Sequence, residues 1–383
     1  MAQTPRTVTR RQALTTGAAA AVSLRQASGA PAAHIEEIKT ISVQPGNYHG
    51  WATLAQRRNG ELLVACSGGR EAHVCPFGQV ELIRSKDAGD HWRWPQVIVD
   101  TASDDRDAGI CETAKGTLLA TTFTSLAFLD VMAKSAASWP ADKRARWEAV
   151  NRRATPRQFR DLLGTWMVRS TDGGLTWSAP YRVPVNSPHG PSLATSGRLI
   201  YAGKQLWEPG SKNGFCESAD DGLTWRWVSD IPARAGDDPV QYHEFHQVEA
   251  ANGSIVVHIR NHNRNDERET LQCESTNGGK TWTTPHSIGV WGLPSHLLRL
   301  SNGWLLMSYG YRRPPFGNQV RISRDHARTW SEPITLSDDG ASVDLGYPAT
   351  VELPDKRLVT VWYEQLRTSP QAVLRMARWT LPK

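Results

Sequence analysis

"RSTDGGLTW", Arg169–Trp177, sets a serine, an aspartate, two glycines, a threonine and a tryptophan into one turn-sized stretch, and near copies of it recur along the chain. They read "RSKDAGDHW" (84–92), "ESADDGLTW" (217–225), "ESTNGGKTW" (274–282) and "ISRDHARTW" (322–330). Asp and Ser or Thr side chains hydrogen-bond the backbone of their own turn, Gly accepts positive φ, and Trp supplies a large apolar anchor. Asn277 replaces the Asp in one copy and Ala327 a Gly in another. A catalytic group is not used five times around one molecule, so the boxes read as structural punctuation of a repeat.

Between the boxes runs a second phrase, in six copies: a strand, a tight turn and an apolar strand. They are "GWATLAQRRNGELLVACS" (50–67), "AGICETAKGTLLATTF" (108–123), "GPSLATSGRLIYAGK" (190–204), "FHQVEAANGSIVVHIR" (245–260), "SHLLRLSNGWLLMSYG" (295–310) and "YPATVELPDKRLVTVWY" (347–363). Asn59-Gly60, Lys115-Gly116, Asn252-Gly253 and Asn302-Gly303 carry hairpin-turn chemistry. A third strand, a box and a fourth strand follow each copy except the last, which has no box. Six units of about fifty residues predict an all-β fold, a six-bladed β-propeller of four-stranded antiparallel blades. "IKTISVQP" (38–45) is placed to join the last blade and close the ring, which removes an open sheet edge. The long gap after the second copy, residues of about 125 to 165, contains "ADKRARWEAVNRRATPRQFRDLL". It predicts a basic helical insertion in the second blade, a candidate lid through Lys143, Arg144, Arg146, Arg152, Arg153, Arg157 and Arg160.

The 383 residues suffice for a sizeable core. The formal charge of +6 is diffuse, which argues against a nucleic-acid partner and suits an acidic ligand. Five cysteines, Cys66, Cys75, Cys111, Cys216 and Cys273, without paired spacing argue against a disulfide framework or a zinc site. They read as buried thiols, with Cys216 and Cys273 at one shared repeat position. No cofactor or metal constellation stands out. "TRRQALTTGAAAAVSL", with Arg10 and Arg11, followed by "ASGA", reads as a twin-arginine export signal. Its apolar run is too short to span a bilayer, and no other segment suggests a membrane span. The predicted organisation is an export signal over 1–33 and a propeller over 34–383, with the mature protein exported.

In an up-and-down meander the hairpin turns and boxes share one face. The other face is built from residues just before each first strand and just after each second strand. Before first strands stand His49, "DDRD" with Asp105, Arg106 and Asp107, His189, Glu244 with His246, His296 and Tyr347. After second strands stand Arg70 with Glu71 and His73, Lys204, Arg260 with His262, Tyr311 with Arg312, and Glu364. Ordinary turn residues are Gly, Asn, Asp and Ser, so convergent Arg, His, Glu and Tyr over a central concavity mark a candidate site.

On these residues the sequence resembles the sialidase superfamily, whose members carry repeated Asp-boxes on six blades. The resemblance implies a carboxylate held by three arginines, a tyrosine nucleophile assisted by a glutamate, and an aspartate acid/base. "HEFHQVEAANGSIVVHIR" is similar to the segment of the assisting glutamate and second arginine, implying Glu244 and Arg260. "SYGYRRPPFGNQVRIS" is similar to the third-arginine segment, implying Arg312 in preference to Arg313, and "DLGYPATVEL" implies Tyr347 as nucleophile. "LLVACSGGR" resembles the stretch after the first hairpin and implies Arg70 facing the pocket. Two departures stand out: "HGWATL" puts His49 where the family's first arginine belongs, and "EAHVCPFGQ" offers Glu71 and His73 but no aspartate.

Guanidinium groups grip a carboxylate through paired, charge-assisted hydrogen bonds. A tyrosine is a poor nucleophile at its ordinary pKa of about 10 and needs a base, the role of Glu244. Tyr347, Glu244, His49, His73 and Glu71 are therefore the catalytic candidates. Arg70, Arg260, Arg312, Arg106, Asp107, His189, His246, His296, Tyr311 and Glu364 are the substrate-binding candidates. The expected function is an exported, exo-acting glycoside hydrolase of sialidase type on a terminal acidic sugar of a glycan or glycoconjugate. Two alternatives stay open: a uronate-glycoside lyase with a histidine base, and a non-catalytic glycan-binding propeller.

Overall fold

The computed structural model describes residues 33–382 apart from 45, 209, 265 and 266. The stretch read as an export signal lies outside the described residues, except Ala33. Six four-stranded antiparallel sheets follow one another along the chain. The first two strands of each blade, inner to outer, are Tyr48–Gln56 and Leu62–Arg70 in blade 1, Asp104–Glu112 and Leu118–Ser125 in blade 2, and Ser192–Leu193 and Leu199–Lys204 in blade 3. They continue as Tyr242–Glu249 and Ile255–Asn261 in blade 4, Ser295–Arg299 and Leu305–Tyr311 in blade 5, and Leu345–Glu352 and Leu358–Gln365 in blade 6. The expected closure is present: strand His34–Thr40 pairs antiparallel with Ala372–Thr380 as the outer strand of blade 6.

The core lies in six apolar clusters, one at each seam between neighbouring blades. Blades 6 and 1 share Leu54, Val64, Val359 and Val361, blades 1 and 2 share Leu63, Leu82, Ile110 and Val168, and blades 3 and 4 share Ile200, Phe215, Val257 and Leu271. Each box delivers its tryptophan to the seam with the preceding blade: Trp92, Trp177, Trp225, Trp282 and Trp330 each join a different cluster. The sixth seam has no box, and Trp362 and Trp379 fill it.

Within a box the wiring repeats. Ser170 Oγ accepts from Gly174 N, and Asp172 accepts from the backbone and hydroxyl of Thr176. Ser218, Gly222, Asp220 and Thr224 do the same. Boxes also receive the neighbouring blade: Arg84 donates to the carbonyls of Gly173 and Gly174, and Arg169 pairs with Asp221. The boxes are therefore seam fasteners. Cys216 and Cys273 sit on equivalent third strands and are buried, as are Cys66 and Cys75; Cys111 is half-buried, and all five are free thiols.

The insertion leaves blade 2 between its second and third strands, as expected. It comprises α1 (Ala127–Ser135), α2 (Ala141–Asn151) and α3 (Pro156–Leu162), so it begins one helix earlier than the basic stretch suggested. A capping box between Thr155 and Gln158 starts α3. Phe128, Trp147 and Phe159 are buried together with Cys75 from the loop after the second strand of blade 1. Much of the basic charge is answered locally: Arg144 faces Glu148, Arg157 faces Asp161, and Lys143 lies over Trp139 and Trp147. No helix among the described residues is long and apolar enough to cross a membrane.

Candidate functional site

Four first strands carry the same backbone irregularity. In blades 1, 2, 4 and 6 the pairing of first with second strand slips by one extra residue, between Gly50 and Thr53, Arg106 and Gly109, His243 and His246, and Gly346 and Ala349. Such a slip is a β-bulge, which bends the strand and re-aims a side chain. The residue opening each bulge has positive φ without being glycine: Trp51 (54°), Asp107 (49°), Glu244 (46°) and Tyr347 (53°). Left-handed backbone is costly for such residues and persists where the surrounding fold enforces it. Four repetitions at one level of the ring mark a constructed site.

Its centre is a triad from blades 4 and 6. Tyr347 Oη donates to Glu244 Oε1 at 2.5 Å, and Arg260 Nη1 lies 2.6 and 2.5 Å from the two Glu244 oxygens and 3.4 Å from Tyr347 Oη. Burial pushes the Glu244 carboxyl up, but the charge and hydrogen bonds of Arg260 outweigh it and hold Glu244 below the usual range. Burial, then the negative charges of Glu244 and Asp107, push the Tyr347 phenol well above its ordinary value. The tyrosine is therefore neutral and already bonded to a carboxylate that can take its proton.

Arg312 Nε donates to Leu345 O at 3.0 Å, and its guanidinium carbon lies 6.0 Å from the Tyr347 ring. Its terminal nitrogens have no partner among the described residues. Arg313 turns away to stack on Trp291, 3.6 Å from the ring centre, and Tyr311 faces the same tryptophan. Arg260, Arg312 and Tyr347 thus meet at one place, whereas Tyr311 belongs to the seam of blades 4 and 5.

Asp107 is 6% exposed. Burial, then repulsion from Glu244, raises its carboxyl to about 7. Neighbouring Asp105 is wholly buried and caps Thr101 through that residue's backbone and hydroxyl, a structural role. Arg106 lies 4.2 Å over Trp51 and donates to His73 O and Asp104 Oδ2.

Several candidates sit elsewhere than their chain positions suggested. Arg70 is completely buried; its donors go to Asp104, Ser67 Oγ, His73 O and Ala72 O, so none remains for a substrate carboxylate. His49 is 1% exposed and turned into blade 1, between Asn47 O and Glu81; it does not replace an arginine at the opening. Glu71 is consumed by Arg146 Nε and Trp147 Nε1 of α2, and Glu364 is buried with Trp362 Nε1 and Arg375. Lys204 donates to Val240 O, and the His262 ring faces His243.

His189, His246 and His296 gather in one cluster, with ring centres 4.5 to 5.3 Å apart and His189 6.4 Å from Tyr347. They line a cavity of about 310 Å³ reaching to Gln56, Glu112 and Arg299 at the hairpin ends of the first strands. Burial keeps all three neutral, His296 down to about 3. Backbone N–H groups of Leu297 and Thr350 donate to Nδ1 of His246 and His296, so their Nε2 atoms carry the protons and are not free to ligate a metal. Consistently, among the described residues no group of three or more His, Cys, Asp or Glu is arranged to hold a metal ion.

Sequence reading missed an aromatic wall and its acid. Tyr48, Trp51 and Tyr363 pack with ring centres 5.9 to 6.2 Å apart, and Tyr363 lies 5.7 Å from Tyr347. Asp344 accepts from Tyr48 Oη and Tyr363 Oη at 3.0 Å and meets His73 Nδ1 at 3.0 Å. Asp344 stands just before a first strand, where the other candidates were found; the aromatics look like ordinary core residues in sequence.

Residues 150–360, more than half of the chain, match the family model described as "BNR repeat-like domain". Among solved structures, a protein of unknown function from Dyadobacter fermentans is similar at 22% identity and a TM-score of 0.75, over 92% of this chain and 100% of that one. A Hadza microbial sialidase, Hz136, is similar at 17% identity and a TM-score of 0.62, over 86% of this chain and 65% of that one. The leech intramolecular trans-sialidase, solved with 2,7-anhydro-Neu5Ac, is similar at 12% identity and a TM-score of 0.63, over 91% and 70%. At these identities the likeness shows the fold. A search of curated proteins found no match. With six blades, five boxes and this family match in hand, the chain belongs to the BNR repeat-like domain family.

Proposed function

We propose that the protein is an exported, exo-acting glycoside hydrolase that removes a terminal acidic sugar, held by its carboxylate. The observation that carries this reading is the Tyr347–Glu244–Arg260 triad, a neutral phenol hydrogen-bonded to an ionised carboxylate at the ring's centre. Tyr347 Oη attacks the anomeric carbon while its proton passes to Glu244. Tyrosine is an accepted exception to the usual pair of carboxylates in glycosidases. Arg312, with its terminal nitrogens open, and Arg260 supply the carboxylate grip from blades 5 and 4. The sialidases of similar fold support the choice of substrate class.

The test is incubation with sialylated and uronate-capped oligosaccharides, with products identified by mass. Free terminal acid from the wild type, reduced at least about 10³-fold in Tyr347→Phe, supports the reading. An unsaturated uronate replaces it with elimination, and saturable binding without product replaces it with a lectin-like role.

A further inference from the structure

We propose that His73, held by Asp344, is the catalytic residue that protonates the departing glycosidic oxygen, and that Asp344 is its positioning residue. The assignment rests on the hydrolase reading of the pocket. His73 stands on the loop that leaves the second strand of blade 1, and its side chain is about half exposed (49%). Its Nδ1 lies 3.0 Å from Asp344 Oδ1 and 2.8 Å from Tyr48 Oη. Tyr48 Oη is itself bonded to Asp344, so the carboxylate fixes one ring nitrogen and leaves Nε2 for proton exchange.

The dyad stands beside the reacting centre. Asp344 precedes Tyr347 by three residues, and one ring, Tyr363, spans the interval: it bonds Asp344 and lies 5.7 Å from the Tyr347 ring. Trp51 packs edge-on against His73 at 5.0 Å. A sugar bound with its anomeric carbon at Tyr347 Oη sends its leaving group outward, and half-exposed His73 is placed to meet it. Asp107 lies at the base of the site, close enough to Glu244 to feel its charge, while Glu71 is spent on α2.

The loop is held for precision rather than left to sample. Arg70 and Arg106 both donate to His73 O, at 2.8 and 3.1 Å, and Gln371 donates to Glu71 O. The charged and titratable groups facing the His73 ring and carbonyl are thus Asp344, Tyr48, Arg70 and Arg106. Burial raises the Asp344 carboxyl, but the bonds from His73, Tyr48 and Tyr363 outweigh it and keep the group ionised, as a partner for imidazolium.

The step balances. As Tyr347 Oη bonds the anomeric carbon and Glu244 takes its proton, the glycosidic C–O bond breaks and imidazolium Nε2–H delivers its proton to the leaving oxygen. Water then attacks the anomeric carbon and gives a proton to His73, the tyrosyl bond breaks, and Glu244 returns the phenolic proton.

The experiment compares an oligosaccharide with an aryl glycoside of the same acidic sugar, whose phenolate leaves without protonation. His73→Ala is expected to lose at least about 100-fold in kcat/KM on the oligosaccharide and less than about tenfold in kcat/KM on the aryl glycoside, because kcat/KM reports cleavage of the glycosidic bond and not the water attack common to both substrates. Tyr347→Phe is expected to lose both. Asp344→Asn leaves the His73 ring without its carboxylate and is expected to show the same split in kcat/KM, a larger loss on the oligosaccharide than on the aryl glycoside. Equal losses in kcat/KM on both substrates, no loss in His73→Ala, or an Asp344→Asn variant that slows both substrates alike overturns the assignment while leaving the hydrolase standing. A wild type inert on both substrates overturns the hydrolase and the assignment together.

Discussion

Replacing Arg260 by methionine tests how the Tyr347–Glu244–Arg260 triad is held, because methionine keeps the stem and removes the charge. In the wild type, Arg260 Nη1 reaches both Glu244 oxygens, and both side chains are mostly buried, 14% and 17% exposed. Without the guanidinium, Glu244 keeps only the Tyr347 hydroxyl among those donors and becomes an unpaired charge. Breaking a buried ion pair by removing one partner costs about 3–5 kcal/mol. Unfolding entropy near 2.1 cal/mol/K per residue gives about 0.7 kcal/mol/K for about 350 residues, so the expected drop in Tm is about 4–7 °C. Adding Glu244→Gln removes the stranded charge and should restore at least half of that loss.

The sign with pH follows from linkage. In the wild type, Glu244 is held below its unfolded value; its stabilisation is present above that value and is lost as pH falls through the folded one. In Arg260→Met, burial raises the carboxyl against only the Tyr347 hydrogen bond and the charge of Arg312, so the variant is relieved as acid protonates it. The gap in Tm between the two proteins should be widest at neutral pH and should close on acidification, read by calorimetry in steps from pH 7 to 4. A gap that stays constant with pH, or a double variant no better than the single, refutes the argument that Glu244 is an ion held by Arg260.

Asp107→Asn should raise Tm at pH 8 and leave it unchanged near pH 4. The wild-type carboxyl, raised to about 7, makes the fold lose stability as pH climbs from the unfolded value to the folded one, and the amide does not titrate. Asp220→Ala should lower Tm by a few degrees at pH 7: burial is outweighed by the bonds from Thr224 and Ser218, which hold the carboxyl at about 2. That loss should fade as pH falls from about 4 toward 2, where the wild-type carboxylate is also protonated. Arg312→Ala should raise KM about 10- to 150-fold for the acidic sugar, the equivalent of a charge-assisted hydrogen bond worth about 1.5–3 kcal/mol, and should spare its methyl ester. Equal effects on acid and ester would show that Arg312 does not read the carboxylate.

The fold was legible because its signals are local and repeated. Turn chemistry, the box and strand alternation each recur, so one ambiguous copy is corrected by the others; the insertion's first helix had no such copies and was missed. The face of the ring carrying the site was legible for the same reason. Radial direction was not. Arg70 and Glu364 end second strands at the right level, yet their side chains run into the blade and meet Asp104 and Arg375. Asp107, Glu244 and Tyr347 reach the axis because a bulge turns them there. The His73–Asp344 pair spans 271 residues, beyond any spacing argument.

Charge balance in the opening explains why so few arginines suffice. Arg70 is neutralised by Asp104, and Arg260 by Glu244. Arg106 shares Asp104 and spends a donor on the His73 carbonyl. The histidines beneath are neutral because burial forbids their charged forms, so they add no positive field. Arg312 has no carboxylate ion pair among the described residues and is fixed at Nε by the Leu345 carbonyl, aimed over Tyr347. An anion entering the ring is therefore drawn to the side of Tyr347, and its carboxylate completes a pair that the described residues leave open. One short segment joins these groups: Asp344 holds His73, Leu345 holds Arg312, and Tyr347 carries the hydroxyl bonded to Glu244. A shift of that segment would misplace all three at once, which is the physical reason for the bulge that clamps it.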